Sequence, residues 1–162
     1  MRNEIKRALI EAAHRARAQS VAPYSRFAVG AALLTGDGSI VTGANVESAS
    51  YGLTCCAERV ALFKALTDGA RDFQAVAVVA RSPDGPTPCG ACRQLLAEYA
   101  PAAVVWVADS DRLSIVREFS VRELLPEAFT EAALRATTRG RGANPSNRCR
   151  NRSRSTLTRR LQ

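Results

Sequence analysis

At 162 residues with 46% apolar side chains, the chain suits one domain with a real buried core. No apolar run approaches the roughly 18 residues that cross a bilayer, and the charged amino end lacks the hydrophobic stretch of a secretory signal, so a cytoplasmic protein is expected. The formal charge of +8 sits unevenly: residues 135–162 hold nine arginines and no acid, leaving 14 basic against 15 acidic side chains in 1–134, so the basicity belongs to the tail.

In chain order, Asn3 can cap a helix in which Ile5, Ala8, Leu9, Ala12, Ala13 and Ala16 recur at three- and four-residue steps, giving one apolar stripe. His14, the only histidine, lies off that stripe beside Arg15 and reads as a solvated helix residue with no role. Pro23-Tyr24-Ser25 breaks the helix. Phe27 to Leu34 reads as a strand rich in Ala and Gly, where another element must approach closely. A turn at Thr35-Gly36-Asp37-Gly38 returns the chain as a second strand from Ile40 to Val46, ending in polar Asn45 and Glu47. Cys56 to about Leu66, with apolar Ala57, Val60, Ala61, Phe63, Ala65 and Leu66, is a largely buried helix. Phe73 to Ala80 is a continuous apolar run, the pattern of a strand covered on both faces. A proline-rich loop delivers Cys89 to the start of a helix that runs to Tyr99 and stops before Pro101. Ala103 to Ala108 is a further strand, Ser114 to Phe119 alternates like an edge strand, and Val121 to Leu125 is a short helical turn.

After about Ala136 arginine alternates with polar residues and there is almost nothing to bury, so that segment reads as disordered. The division expected is a catalytic domain over 1–134 and an Arg-rich tail over 135–162. The fold class expected is α/β, a three-layer α/β/α sandwich around a mixed sheet of about five strands.

Five cysteines, an odd number in a chain without a signal, favour thiols used for metal or catalysis over a disulfide framework. Cys89 and Cys92, three apart at a helix start, project from one face and can bind one ion. That spacing alone does not separate zinc from redox chemistry. A third thiol, Cys56, also opens a helix, so two helix amino ends would point at the metal and favour thiolates. A closed structural site would want a fourth protein ligand, and Cys55, Cys149 and His14 have no convincing spacing. The open corner is left for water. Glu58, two residues after Cys56, can lean back toward that corner as a base. Three thiolates on Zn²⁺ leave one net negative charge, and Arg59 can offset part of it by donating to them.

A ligand two residues before Glu, followed later by Pro-Cys-x-x-Cys, is the signature of zinc deaminases acting on bases. Over residues 4 to 129 the chain resembles the small, homotetrameric-type zinc-dependent cytidine deaminases of pyrimidine salvage. The resemblance is carried by Pro23-Tyr24-Ser25-Arg26-Phe27-Ala28-Val29-Gly30-Ala31-Ala32-Leu33, Gly43-Ala44-Asn45-Val46-Glu47, Ser50-Tyr51, Cys56-Ala57-Glu58-Arg59, Cys89-Gly90-Ala91-Cys92-Arg93-Gln94 and Leu124-Leu125-Pro126. It implies one zinc per subunit on Cys56, Cys89 and Cys92, with Glu58 as the proton carrier. It further implies that Phe27 packs against the pyrimidine, that Asn45 and Glu47 bind ribose hydroxyls, and that Ala57 offers a backbone group to the base. Tyr51 and Phe129 would wall the site, partly across subunits of a homotetramer. By residue type alone Asn45 reads as readily as a turn residue, Glu47 as a surface acid and Phe27 as core.

The reaction so implied is hydrolytic deamination of cytidine and 2′-deoxycytidine. Two other readings are a deaminase of the same fold acting on another aminopyrimidine nucleoside such as blasticidin S, and a zinc-stabilised module binding RNA through its tail. Near-neutral charge on 1–134 argues against an RNA track there and leaves nucleic acid only a non-specific contact through the tail.

Overall fold

The computed structural model describes residues 2–139. Helix α1 (Arg2–Ala16) is followed by a 3₁₀ turn at Arg17–Gln19, strands β1 (Val29–Thr35) and β2 (Ile40–Ala44), helix α2 (Ala57–Thr67) and strand β3 (Phe73–Ala80). Helix α3 (Gly90–Tyr99), strands β4 (Val104–Asp109) and β5 (Val116–Ser120) and the short helix α4 (Val121–Leu124) complete a compact unit that ends at Phe129. The five strands form one sheet in the order β2-β1-β3-β4-β5. Only β3 and β4 pair in parallel; the other neighbours are antiparallel. The expected three-layer α/β sandwich is present.

Alternation along the strands builds the two cores. From β3, Val76 and Val78 face one side with Ala31, Leu33, Val105 and Val107, under Ala61, Leu62 and Ala65 of α2 and Leu96 of α3. Ala75, Ala77 and Val79 face the other, with Ala32, Leu34, Trp106 and Ala108, under Leu9, Ile10, Ala12 and Ala13 of α1. This is why Phe73 to Ala80 is apolar without alternation: both faces are covered. The small residues of the first strand have the reason the sequence suggests, and Gly43 of β2, for which none was expected, shares it. A Cβ on Gly30 would lie 2.0 Å from the Ala13 carbonyl oxygen of α1, and one on Gly43 would lie 2.5 Å from the Ala57 oxygen and the Ala61 nitrogen of α2.

Several local expectations shift. Asn3 falls inside the first turn of α1 rather than capping it. His14 is half-buried rather than solvated, and its Nδ1 is enclosed with no hydrogen-bond partner among the described residues. Phe63 is exposed, because the buried stripe of α2 runs through Ala57, Ala61 and Ala65 and residue 63 points the other way. β1 begins at Val29, not Phe27, because Arg26 takes a left-handed conformation (φ 57°) that turns the chain just before it.

A second unit begins at Thr130. Its helix α5 (Glu131–Arg139), with an Arg135–Glu131 ion pair of 2.7 Å one turn apart, was not anticipated and runs across the expected boundary at 134/135. The rest of the expected disordered tail, including Cys149, lies outside the described residues.

Candidate active site

β1 is antiparallel to both β2 and β3, so β2 and β3 run the same way and finish at the same end of the sheet. The chain leaves each of them into a helix, which brings the amino ends of α2 and α3 together there. Cys56 is the residue before α2 and Cys89 the residue before α3, both extended (ψ 154° and 167°) and neither using its side chain as a cap. Their sulfurs lie 3.6 Å apart, and Cys92, in the first turn of α3, lies 3.5 Å from Cys89. All three sulfurs fall within 4.8 Å of one another. Zn–S bonds of about 2.3 Å in a tetrahedron separate sulfurs by roughly 3.8 Å, so the cluster fits zinc with little movement. Cys56, Cys89 and Cys92 are positioned to hold a metal ion. Cys55 is left out: its backbone pairs with Val46 at 2.9 Å in both directions.

Within the cluster the electrostatics favour a thiolate at Cys56. The hydrogen bond from Cys92, helped by Arg59 and Cys89, pulls the Cys56 thiol down to about 5, while its bond to Cys56 and its burial push Cys92 up. Arg59 Nη2 donates to the Thr54 carbonyl at 2.6 Å and to Cys56 Sγ at 3.8 Å. Burial opposes its charge, but the bond to Cys56 and the nearby thiols win and raise its pKa. Glu58, in the first turn of α2, is only 6% exposed; burial, with the Cys56 charge adding to it, pushes its carboxyl up to about 7.

A cavity of about 180 Å³ opens over this cluster. Cys56, Ala57, Glu58 and Cys89 form one part of its lining; Phe27, Asn45 and Glu47 form another. Phe27 is 43% exposed and therefore a wall, not core. Asn45 is not a turn residue: it is 6% exposed, its Oδ1 accepts from Val29 N (2.8 Å) and Ser20 Oγ (2.6 Å), and its Nδ2 donates to the Phe27 carbonyl (2.9 Å). Glu47 accepts from Tyr24 N (2.9 Å) and Ser25 N (3.1 Å) and pairs with Ser25 Oγ; that hydroxyl, with the two backbone donors, lowers its pKa. Tyr51 and Phe129 do not line the cavity; they are 76% and 61% exposed. Tyr51 instead meets Tyr24 edge-on at 6.2 Å.

Ser25, Val29, Thr54, Val78, Pro86 and Thr87 also line the cavity, and sequence reasoning assigned none of them to it. Ser25 had a visible signal, since it opens the Ser-Arg-Phe segment; Val78 had none, being one apolar residue in an apolar strand.

Fold and site together define an α/β/α enzyme whose three cysteine thiols suit zinc and whose buried carboxyl stands beside them. A family profile described as the cytidine and deoxycytidylate deaminase zinc-binding region matches residues 3–108, and the chain belongs to that family. It is 54% identical over 123 residues to a cytidine deaminase of Halalkalibacterium halodurans, covering 75% of this chain and 92% of that one. It is 46% identical to the cytidine deaminase of Sporosarcina psychrophila over 78% of this chain and 92% of that protein. Among solved structures, the cytidine deaminase of Burkholderia pseudomallei superposes with a TM-score of 0.72 at 51% identity, over 75% of this chain and 97% of its own.

Proposed function

We propose that the protein is a cytidine deaminase of pyrimidine salvage, converting cytidine or 2′-deoxycytidine and water to uridine or 2′-deoxyuridine and ammonia. The observation that carries this reading is the Glu58 carboxyl, buried beside three thiols in a cavity whose other lining includes an aromatic ring, an amide and a carboxylate. Cys56, Cys89 and Cys92 would hold the zinc, which when bound would supply Lewis acidity and acidify water toward neutrality.

Glu58 would accept a proton from the attacking water, deliver it to the pyrimidine ring nitrogen, and carry the proton of the newly added hydroxyl to the departing amine. A C–O bond replaces the C–N bond, and the carboxylate ends as it began. A pKa near 7 before the metal is added marks a carboxyl that holds a proton readily near neutral pH. Arg59 balances thiolate charge through its bond to Cys56.

At the far end the hydrogen-bond inventory assigns direction. Asn45 Oδ1 already accepts two bonds and Nδ2 has donated one, so a ribose hydroxyl can only accept from its second N–H. Glu47 accepts two backbone bonds and pairs with Ser25, which leaves lone-pair capacity for a hydroxyl that donates. One ribose hydroxyl can do both. Phe27 covers the base and a backbone group of Ala57 addresses its edge. Tyr51 and Phe129, large and exposed, would wall the site of a neighbouring subunit in a homotetramer. Free thiol ligands suit the reducing cytoplasm.

The test is loss of cytidine absorbance with ammonia release, run with and without a chelator, beside zinc analysis of the same sample. No turnover by zinc-loaded protein refutes the activity. A panel including blasticidin S separates this reading from its same-fold alternative, and RNA affinity without ammonia release would favour the binding module. Cys89→Ala should lose zinc and activity together; full zinc occupancy in that variant would remove Cys89 from the ligand set.

A further inference from the structure

Arg93 lies in the first turns of α3, four residues after Cys89, and it reaches back over the segment that presents this thiol. Its Nε donates to the Pro88 carbonyl at 2.6 Å, its Nη2 to Thr87 Oγ1 at 3.2 Å, and its Nη1 to the Leu124 carbonyl at 3.0 Å. Its backbone N–H bonds the Cys89 carbonyl at 2.9 Å. Pro88 is fully buried, so its carbonyl has little recourse to water if the guanidinium is removed. The arrangement echoes α2, where Arg59 reaches back five residues to the Thr54 carbonyl beside Cys56. The difference is that Arg59 also touches a sulfur, whereas the hydrogen bonds of the Arg93 side chain go to the chain on either side of the site.

We infer that Arg93 is a positioning residue for the metal centre: its three-pronged grip on Thr87, Pro88 and Leu124 fixes where Cys89 and the Pro86–Thr87 wall of the cavity stand, and ties both to the end of α4. Geometry carries this role, not charge. A guanidinium presents its donors in a rigid fork, and the three acceptors here take bonds from three different nitrogens; an ammonium is a single point and cannot span them. Without the fork, Cys89 loses the restraint that holds its sulfur within 3.6 Å of both Cys56 and Cys92, and the cluster must be ordered when the metal binds.

The inference rests on the three cysteines holding zinc. The experiment is zinc affinity by competition with a chromophoric chelator, on purified full-length protein, for wild type, Arg93→Met, Arg93→Lys and Thr87→Val. Trp106→Phe, which cuts the Trp106–Glu118 bond on the other side of the sheet, is the control for general destabilisation. Arg93→Met and Arg93→Lys should each weaken zinc binding about tenfold or more, and Thr87→Val, which removes one of three acceptors, should do so by less. If Arg93→Met does not fold, Arg93→Lys carries the test. Affinity within twofold of wild type in the Arg93 variants overturns the inference. So does restoration by lysine, which would make the effect one of charge, or an equal loss in Trp106→Phe at the same thermal destabilisation. Wild-type protein that takes up no zinc overturns the metal centre itself, and this inference with it.

Discussion

Glu58→Gln in metal-stripped protein isolates the most unusual electrostatic feature of the site. The glutamate is nearly enclosed and its pKa is raised from 4.5 to about 7, first by burial and then by the neighbouring Cys56 charge. For an acid whose folded pKa is raised, the stability contribution is intact below the unfolded value and is lost as pH rises through the folded one. Stability of the metal-stripped wild type should therefore decline between pH 4.5 and 7 on account of this group and then level off. At about 1.4 kcal/mol per pH unit the 2.5-unit difference amounts to roughly 3 kcal/mol. Glutamine keeps the shape of the neutral acid and cannot ionise, so the variant should gain on wild type by up to about 3 kcal/mol between pH 4.5 and 8. Cys56 titrates in both proteins and mostly cancels in the difference. Its repulsion with Glu58, lost in the variant, is already contained in the raised Glu58 pKa and so in the expected gain. The assay is urea denaturation of both proteins, under reductant and chelator, at several pH values. A difference that stays flat within about 0.5 kcal/mol across that range would refute the claim that Glu58 is buried against its charge. With zinc restored, the same variant should keep metal and fold while turnover disappears.

Other perturbations address the scaffold and the walls. Gly43→Ala should destabilise by about 1–3 kcal/mol and lower activity as well, because the new Cβ meets backbone atoms of α2, the helix that carries Glu58; a variant with unchanged melting temperature would contradict the close approach. Phe27→Ala should raise KM for cytidine more than it lowers kcat, with under about 1 kcal/mol of stability lost because the ring is largely exposed; a stability loss of core size would return Phe27 to the core. Glu118 accepts from Trp106 and pairs with Lys6 and Arg2, which lower its pKa from 4.5. Its stabilisation is present above that value and lost as pH falls below it, so the advantage of wild type over Glu118→Gln should vanish in acid; a constant advantage from pH 7 to 3 would contradict the assignment.

What could be read from the sequence was local or carried by distinctive residue types. Pro23, the Thr35–Gly38 turn and Pro101 punctuate the chain, so element order follows from them and from apolar periodicity, and β3 occupies the expected span of Phe73 to Ala80. The short apolar run of α5 gave no comparable signal against the polar tail around it. The thiols and the carboxyl of the site were visible because few residue types bind zinc or move protons, and the Cys-Ala-Glu and Cys-x-x-Cys spacings are rare by chance. The close approach at Gly30 was visible in the Ala- and Gly-rich strand around it, whereas that at Gly43 was not, because it depends on where α2 comes to lie.

Other features depended on residues distant in sequence. Cys56 and Cys89 are 33 positions apart, and they meet because β2 and β3 run in the same direction on either side of β1 and each leads into a helix at the same end of the sheet. Phe27 became a wall because Arg26 turns the chain before β1, and Asn45 became a fully engaged buried amide because Ser20, Phe27 and Val29 converge on it. The pKa of Glu58 is set by the enclosure of its carboxyl, a property of packing that no spacing encodes. By itself, then, the sequence determined which chemical groups are present and which local elements carry them. The tertiary structure decided which groups meet, which are shut away from water, and which hydrogen-bonding capacity is left for a ligand.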